Sequence, residues 1–154
     1  MSSSKTSSES GPVVFAYDGS ELADLAIEKA GLLLGDKSHA LVLCVWQPFD
    51  VGFVLPNDVK VNADQTPEVK KAAGLTAAAG AVRARKAGFS AQSMEIEAAP
   101  IWKGIVEVAD QRDARLIVLG SHSRSGLAGA MAGSVARAVA SHSLRTVLIT
   151  HRDD

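Results

Sequence analysis

The patterned part of the chain opens with a short continuous apolar run, Val13-Val14-Phe15-Ala16-Tyr17, which stops at Asp18-Gly19-Ser20. A run this short, partly β-branched and closed by turn residues, predicts a strand leading into a turn. Ser20 is placed to cap the helix that follows. On that helix Leu22, Ala26, Ala30 and Leu33 recur at helical spacing, and Leu25 widens the apolar stripe. Gly35 ends it. Residues 40–46 (ALVLCVW) predict a second buried strand, and Pro48, Gly52, Pro56 and Asn57 then break the pattern, predicting a long, partly ordered loop over 48–66. Residues 67–86 are alanine-rich and helical in pattern, with Gly74 and Gly80 inside the helix and Gly88 at its end. An exposed mid-helix glycine costs about 1 kcal/mol relative to alanine, so these two are expected to serve close helix-to-sheet packing.

The second half repeats the alternation. Residues 91–98 predict a third strand, with Met94 and Ile96 on one face, and Pro100 suits the first turn of a third helix. Ile101, Ile105, Val108 and Ala109 form the buried stripe of that helix. Residues 115–119 predict a fourth strand, and Gly133-Ser134 opens a fourth helix whose Val135, Ala138 and Val139 face the core. The run from Thr146 to Thr150 (TVLIT) predicts a fifth strand. Strands that read as continuous apolar runs, alternating with helices, predict a parallel sheet covered on both faces. With right-handed crossovers the simplest architecture is a doubly wound α/β sandwich. Ligands in such folds bind beyond the carboxyl ends of the strands, where the strand order reverses. Asp18-Gly19-Ser20 and the run beginning at Gly120 both fall at strand carboxyl ends, so they flank one crevice if the first and fourth strands are neighbours.

Composition narrows the function. The chain has 154 residues, 47% hydrophobic and only 5% aromatic, so its core is aliphatic. The length suits one domain over residues 11–154, and six serines in the first ten residues predict a flexible tail over 1–10. Sixteen basic and seventeen acidic residues give a net charge of −1, which gives no support for a nucleic-acid or anionic-membrane binder. Cys44 is the single cysteine, so neither an internal disulfide nor a thiolate metal cluster can form; its apolar surroundings predict a buried, inert thiol. No apolar stretch approaches 18 residues and the first residues contain no hydrophobic segment, so the cytoplasm is the expected location.

The chemistry concentrates in GSHSRSGLAGAMAGSVA, residues 120–136, with four glycines and four serines in seventeen positions. Backbone N–H groups of a glycine-rich loop can form an anion-binding concavity. A helix opened by Gly133-Ser134-Val135 presents free N–H donors and the positive end of its dipole. Ser134 is either an ordinary N-cap or a hydroxyl offered to phosphate. Asp18 is either a turn residue beside Gly19 or a group that meets phosphate only through a bridging cation. Enzyme signatures fail. A P-loop lysine is missing, since no lysine occurs from 104 to 154, and neither a dinucleotide fingerprint nor a nucleophile elbow is spelled. His39, His122, His142 and His151 lack metal-ligand spacing, and Asp18 is the one carboxylate near the loop that could act as a base. No dedicated metal site is expected, and catalysis, if any, is limited to slow ATP hydrolysis.

The residues VVFAYDGSELADLA at 13–26, LVLCVWQP at 41–48, LIVLGSHSRSGLAGAMAGSVARAVASHS at 116–143 and TVLIT at 146–150 together resemble the universal stress protein family, over nearly the full length after the serine tail. The resemblance implies a five-stranded doubly wound parallel sheet of order 3-2-1-4-5, of the adenine nucleotide alpha hydrolase-like, Rossmann-like type, with the first and fourth strands adjacent. Nucleotide-binding members carry G-x2-G-x9-G-[ST], which Gly120, Gly133 and Ser134 match in spacing, while Ser123 stands at the second glycine. By the same resemblance adenine lies at the ends of the first two strands, at Ala16, Tyr17 and Val45, with Val45 contributing backbone contacts. Tyr17 departs from the small residue frequent there and either stacks or packs. Asp18 lies near the ribose or a bound metal, and His122, Ser123, Arg124 and Val135 complete the site. The implied ligand is ATP, with AMP or ADP as alternatives, and magnesium enters through the phosphates. The implied assembly is a homodimer paired through Thr146 to Thr150, which would also protect an exposed sheet edge. A left-handed backbone at position 123 costs serine about 1–2 kcal/mol more than glycine, though its hydroxyl could replace a backbone contact to phosphate. Two functions remain open: a nucleotide-binding sensor or switch in the stress response, and a dimeric interaction scaffold of the same fold that has lost the nucleotide.

Overall fold

A computed structural model describes residues 11–35, 38–47, 66–121 and 133–152. The expected tail at 1–10 and the expected loop at 48–66 lie outside the described residues, except for Thr66, which is helical. Among the described residues nine elements alternate: β1 (Val13–Ala16), α1 (Glu21–Leu34), β2 (His39–Trp46), α2 (Thr66–Lys86), β3 (Ser90–Glu97), α3 (Ile101–Gln111), β4 (Leu116–Gly120), α4 (Ser134–His142) and β5 (Val147–Thr150). The strands form one sheet of order β3-β2-β1-β4-β5, with every neighbouring pair parallel. This is the predicted doubly wound sheet. Its central strand β1 sets Val13 against Ala40 of β2 on one side and against Leu116 of β4 on the other.

Alternation along each strand sends successive side chains to opposite faces. Val13, Phe15 and Tyr17 of the first strand segment join Ala40, Val42, Leu116 and Val118 on the face covered by α1 and α2. Val14, Leu41, Leu43, Val45, Ile117 and Leu119 pack on the other face, under α3 and α4. Crossovers therefore change face between the two halves of the chain, and the order reverses at the β1–β4 pair. That reversal leaves the crevice at the carboxyl ends of β1 and β4. Cys44 is buried in a smaller cluster with Trp46 and Val69, Ala73 and Ala77 of α2. No helix among the described residues is long and apolar enough to cross a membrane.

The helices follow their sequence signals with informative exceptions. Ser20 caps α1 by accepting from the Ala23 N–H at 3.1 Å, and Gly35 closes it at φ +76°. Leu22, Ala23, Ala26, Ile27 and Ala30 are buried there, but Leu33, expected on the stripe, is 68% exposed. Leu34 takes the inward position in the last turn instead, packing against the core. On α3 the buried set is Gly104, Ile105, Val108 and Ala109, with Ile101 packed at its margin. On α4 Ala136 and Val139 are buried, and Val135 packs beside them.

The two glycines of α2 prove to be unlike. A Cβ on Gly80 would lie 2.7 Å from the Tyr17 ring and from Val42, so α2 reaches the sheet only because position 80 lacks a side chain. A Cβ on Gly74 would meet nothing closer than Glu95 Cγ at 3.8 Å, an ordinary contact. Opposite responses to the same substitution are expected. Gly80→Ala should lose about 1–3 kcal/mol to overpacking, whereas Gly74→Ala should gain about 0.5–1 kcal/mol from helix propensity. Urea denaturation of the two variants checks both signs; equal effects would place α2 differently on the sheet.

Candidate functional site

The crevice is built from three backbone segments. The first is the exit of β1. Ala16 faces the α3–α4 side and packs at the edge of that cluster. Tyr17 continues the ladder, its N–H donating to the Leu43 carbonyl at 2.9 Å. Asp18 is exposed, and its Oδ1 accepts from the Ser20 N–H at 3.0 Å. Gly19 supplies the left-handed backbone of this turn at φ +83°. Asp18 therefore does serve the turn, while its carboxylate stays at the open end of β1.

The second segment is the exit of β4. Gly120 closes the strand opposite Thr150, and the next N–H, from Ser121, donates to the Thr150 carbonyl at 2.9 Å. A Cβ on Gly120 would stand 2.6 Å from the Leu22 carbonyl oxygen, so this glycine is required by the seat of α1 on β4. Ser121 is buried at the strand's end.

The third segment is the start of α4. Gly133, at φ +77° and ψ 13°, occupies the N-cap position, and no side chain caps the helix there. Ser134 is not the cap; it is exposed in the first helical turn. The first intrahelical bond runs from the Arg137 N–H to the Gly133 carbonyl at 2.8 Å. The N–H groups of Ser134, Val135 and Ala136 precede it, so helix geometry gives them no acceptor within α4. A Cβ on Gly133 would come 2.8 Å from Ser121 Oγ. The start of α4 thus lies directly against the exit of β4.

Val45 is buried with its side chain in the α3–α4 core, in line with a backbone role at most. Val135 also packs toward that core. His122, Ser123 and Arg124 lie outside the described residues. Among the described residues no group of three or more His, Cys, Asp or Glu could hold a metal ion.

Tyr17 packs and does not stack over the crevice. Its ring lies on the α1–α2 side, and its hydroxyl donates to Asp24 Oδ1 at 2.5 Å. Arg83 of α2 reaches the same oxygen with Nε at 2.9 Å, and its Nη1 lies 3.6 Å from Glu28. Burial, and after it the hydrogen bond to Asp24, push the Tyr17 hydroxyl from 10.0 up to about 12. Two of these residues, Asp24 and Arg83, carry no signal in the sequence pattern. Asp24 and Arg83 meet only because two helices far apart in the chain share one face of the sheet. Ser121 could have been flagged as the first polar residue after a buried strand.

The model of the Universal stress protein family matches residues 10–151. Among solved structures, a universal stress protein in complex with cAMP is 26% identical, covering 91% of this chain and 95% of that one at a TM-score of 0.65. The universal stress protein from Archaeoglobus fulgidus is 24% identical, covering 90% of this chain and 96% of that one at a TM-score of 0.69. The Archaeoglobus fulgidus protein in complex with dAMP is also similar, at 24% identity, 90% and 95% coverage and a TM-score of 0.56. No curated protein matches the chain significantly.

Tyr17 is the one tyrosine of the sequence, so its ionisation can be followed directly by ultraviolet absorbance. In the native protein the phenolate should appear near pH 12, and in denaturant near 10. The fold binds the neutral phenol more tightly. Its contribution to stability is therefore complete below about pH 10 and lost as the pH rises toward 12. A native midpoint at 10 would show that the hydroxyl is not held by Asp24.

Proposed function

Because the chain belongs to the universal stress protein family, we propose that it binds an adenine nucleotide in the crevice between β1 and β4 and acts as a cytoplasmic sensor or switch in the stress response. The observation that carries this is the meeting of the β1 exit, the β4 exit and the start of α4, where Gly133 leaves the first turn without a side-chain cap. An uncapped helix start with its dipole aimed outward suits a phosphate. The related structure that contains cAMP supports adenine as the base.

The residues present fit such a ligand. The backbone at Ala16, Tyr17 and Val45 would meet the base. Asp18 would stand near the ribose or a cation, and Gly120, Gly133, Ser134 and Val135 would offer backbone N–H groups or a hydroxyl to the phosphates. His122, Ser123 and Arg124 join the site as members of the intervening segment. ATP is the preferred ligand, with AMP or ADP as alternatives and magnesium carried on the phosphates. Binding, not turnover, is the function, with hydrolysis at most slow. The protein works as a homodimer through β5, which lies at the edge of the sheet, its three apolar residues only partly covered.

Ser123 in place of the motif's second glycine favours a second reading, in which the dimer serves as an interaction scaffold without nucleotide. One set of measurements separates the two. Denaturing the purified protein should release an adenine nucleotide. ATP at a hundredfold its Kd should raise the Tm by about 5–10 °C. Gly133→Val should abolish that rise, because a β-branched residue cannot take the left-handed backbone beside Ser121 Oγ; circular dichroism verifies that the variant is folded. An undiminished rise in Gly133→Val would mean the phosphates lie elsewhere. No released nucleotide and no ATP shift in the native protein would favour the scaffold.

A further inference from the structure

Tyr17 enters the fold twice. Its backbone forms the β1 exit between Ala16 and Asp18, pinned to β2 through the Leu43 carbonyl at 2.9 Å. Its side chain runs into the contact between α1 and α2. There the ring abuts Gly80 so closely that a Cβ would stand 2.7 Å from two ring carbons. The hydroxyl ends on Asp24 Oδ1 at 2.5 Å, and that one oxygen also receives Arg83 Nε at 2.9 Å. A phenol from the central strand, a carboxylate from α1 and a guanidinium from α2 therefore converge on a single atom. Arg83 is further tied to α1 through Glu28. An aromatic side chain has only two torsions, so gripping its face and its tip fixes the backbone it hangs from.

We propose that Tyr17, Asp24 and Arg83 form a positioning clamp that sets the backbone of residues 16–18 for the adenine nucleotide, so that the contact between α1 and α2 governs nucleotide affinity. The clamp rests on the nucleotide-binding function above and adds residues that lie outside the glycine motif. It works through the Tyr17 backbone, since the ring faces away from the α3–α4 side on which Ala16 and Val45 lie. Arg83, a half-exposed residue on α2, is then the outward handle of the site: whatever competes for its guanidinium loosens the seat of the base.

Calorimetric titration with Mg-ATP and with AMP tests this in the full chain, well below each variant's Tm. Tyr17→Phe keeps the ring and removes the hydrogen bond; Arg83→Met removes the guanidinium but keeps an apolar stem. Each should weaken binding by about 2- to 30-fold, Arg83→Lys by less than Arg83→Met, and the double variant by less than the product, because the two act through one oxygen. Arg145→Met serves as the control. Arg145 ties Asp110 and Asp113 at the opposite end of the sheet, at 2.8 Å and 3.0 Å, so its loss should lower Tm without changing Kd. Native protein that binds, with Tyr17→Phe and Arg83→Met at the native Kd and a lowered Tm, would reduce the clamp to a stabilising contact. Equal weakening in Arg145→Met would assign the effect to general loosening and also overturn it. Native protein that binds neither nucleotide removes the function itself, and the clamp with it.

Discussion

The close approach of α1 to β4 at Gly120 sets the geometry of the whole carboxyl end of the sheet. With the Leu22 carbonyl 2.6 Å from where a Cβ would stand, any side chain at position 120 would push the first turn of α1 outward. That turn follows directly from Asp18-Gly19-Ser20, so the same displacement would carry Asp18 away from the β4 exit. A helix from the first half of the chain thus rests on a strand from the second half through bare backbone. Burial of β1, β2 and β4 on both faces supplies the driving force. The glycines at 80 and 120 determine how near the helices come while that surface is buried.

Most of the fold was legible in the sequence because the apolar runs are long, aliphatic and separated by strong stop signals. Strand and helix order, the cap at Ser20 and the glycine stops at 35 and 88 all follow from local patterning. The misses have a common cause. Leu33 fits the helical spacing yet is exposed, because spacing does not say which residue of a last turn the core receives. Gly74 and Gly80 look alike in sequence, and only the position of Tyr17 and Val42 beneath one of them tells them apart. Ser134 reads as a cap, but the left-handed Gly133 takes that place.

The glycines at 120 and 133 were legible in the sequence, and the contacts that require them were not. Gly120 matches the first glycine of a phosphate-binding pattern, and packing alone already requires it. Gly133 is constrained by its left-handed backbone and by Ser121 Oγ. A glycine motif of this kind therefore records two constraints at once, how helices sit and how a ligand is reached. A member could keep Gly120 and Gly133 for the first reason alone.

The register of β1 has a consequence for how the protein comes into being. Val13, near the start of the chain, pairs with Ala40 on one side and with Leu116 on the other. During synthesis the first of these pairings can form once residues 40–43 have emerged, and the second must wait for residues 116–118, more than seventy residues later. A nascent chain therefore exposes one flank of its central strand until residues 116–118 have emerged. A pairing so distant in sequence is also slow to close once the chain is free. The half-built sheet is the state most exposed to mispairing, and the junction of the β1 and β4 exits comes into being only in the molecule that has passed through it.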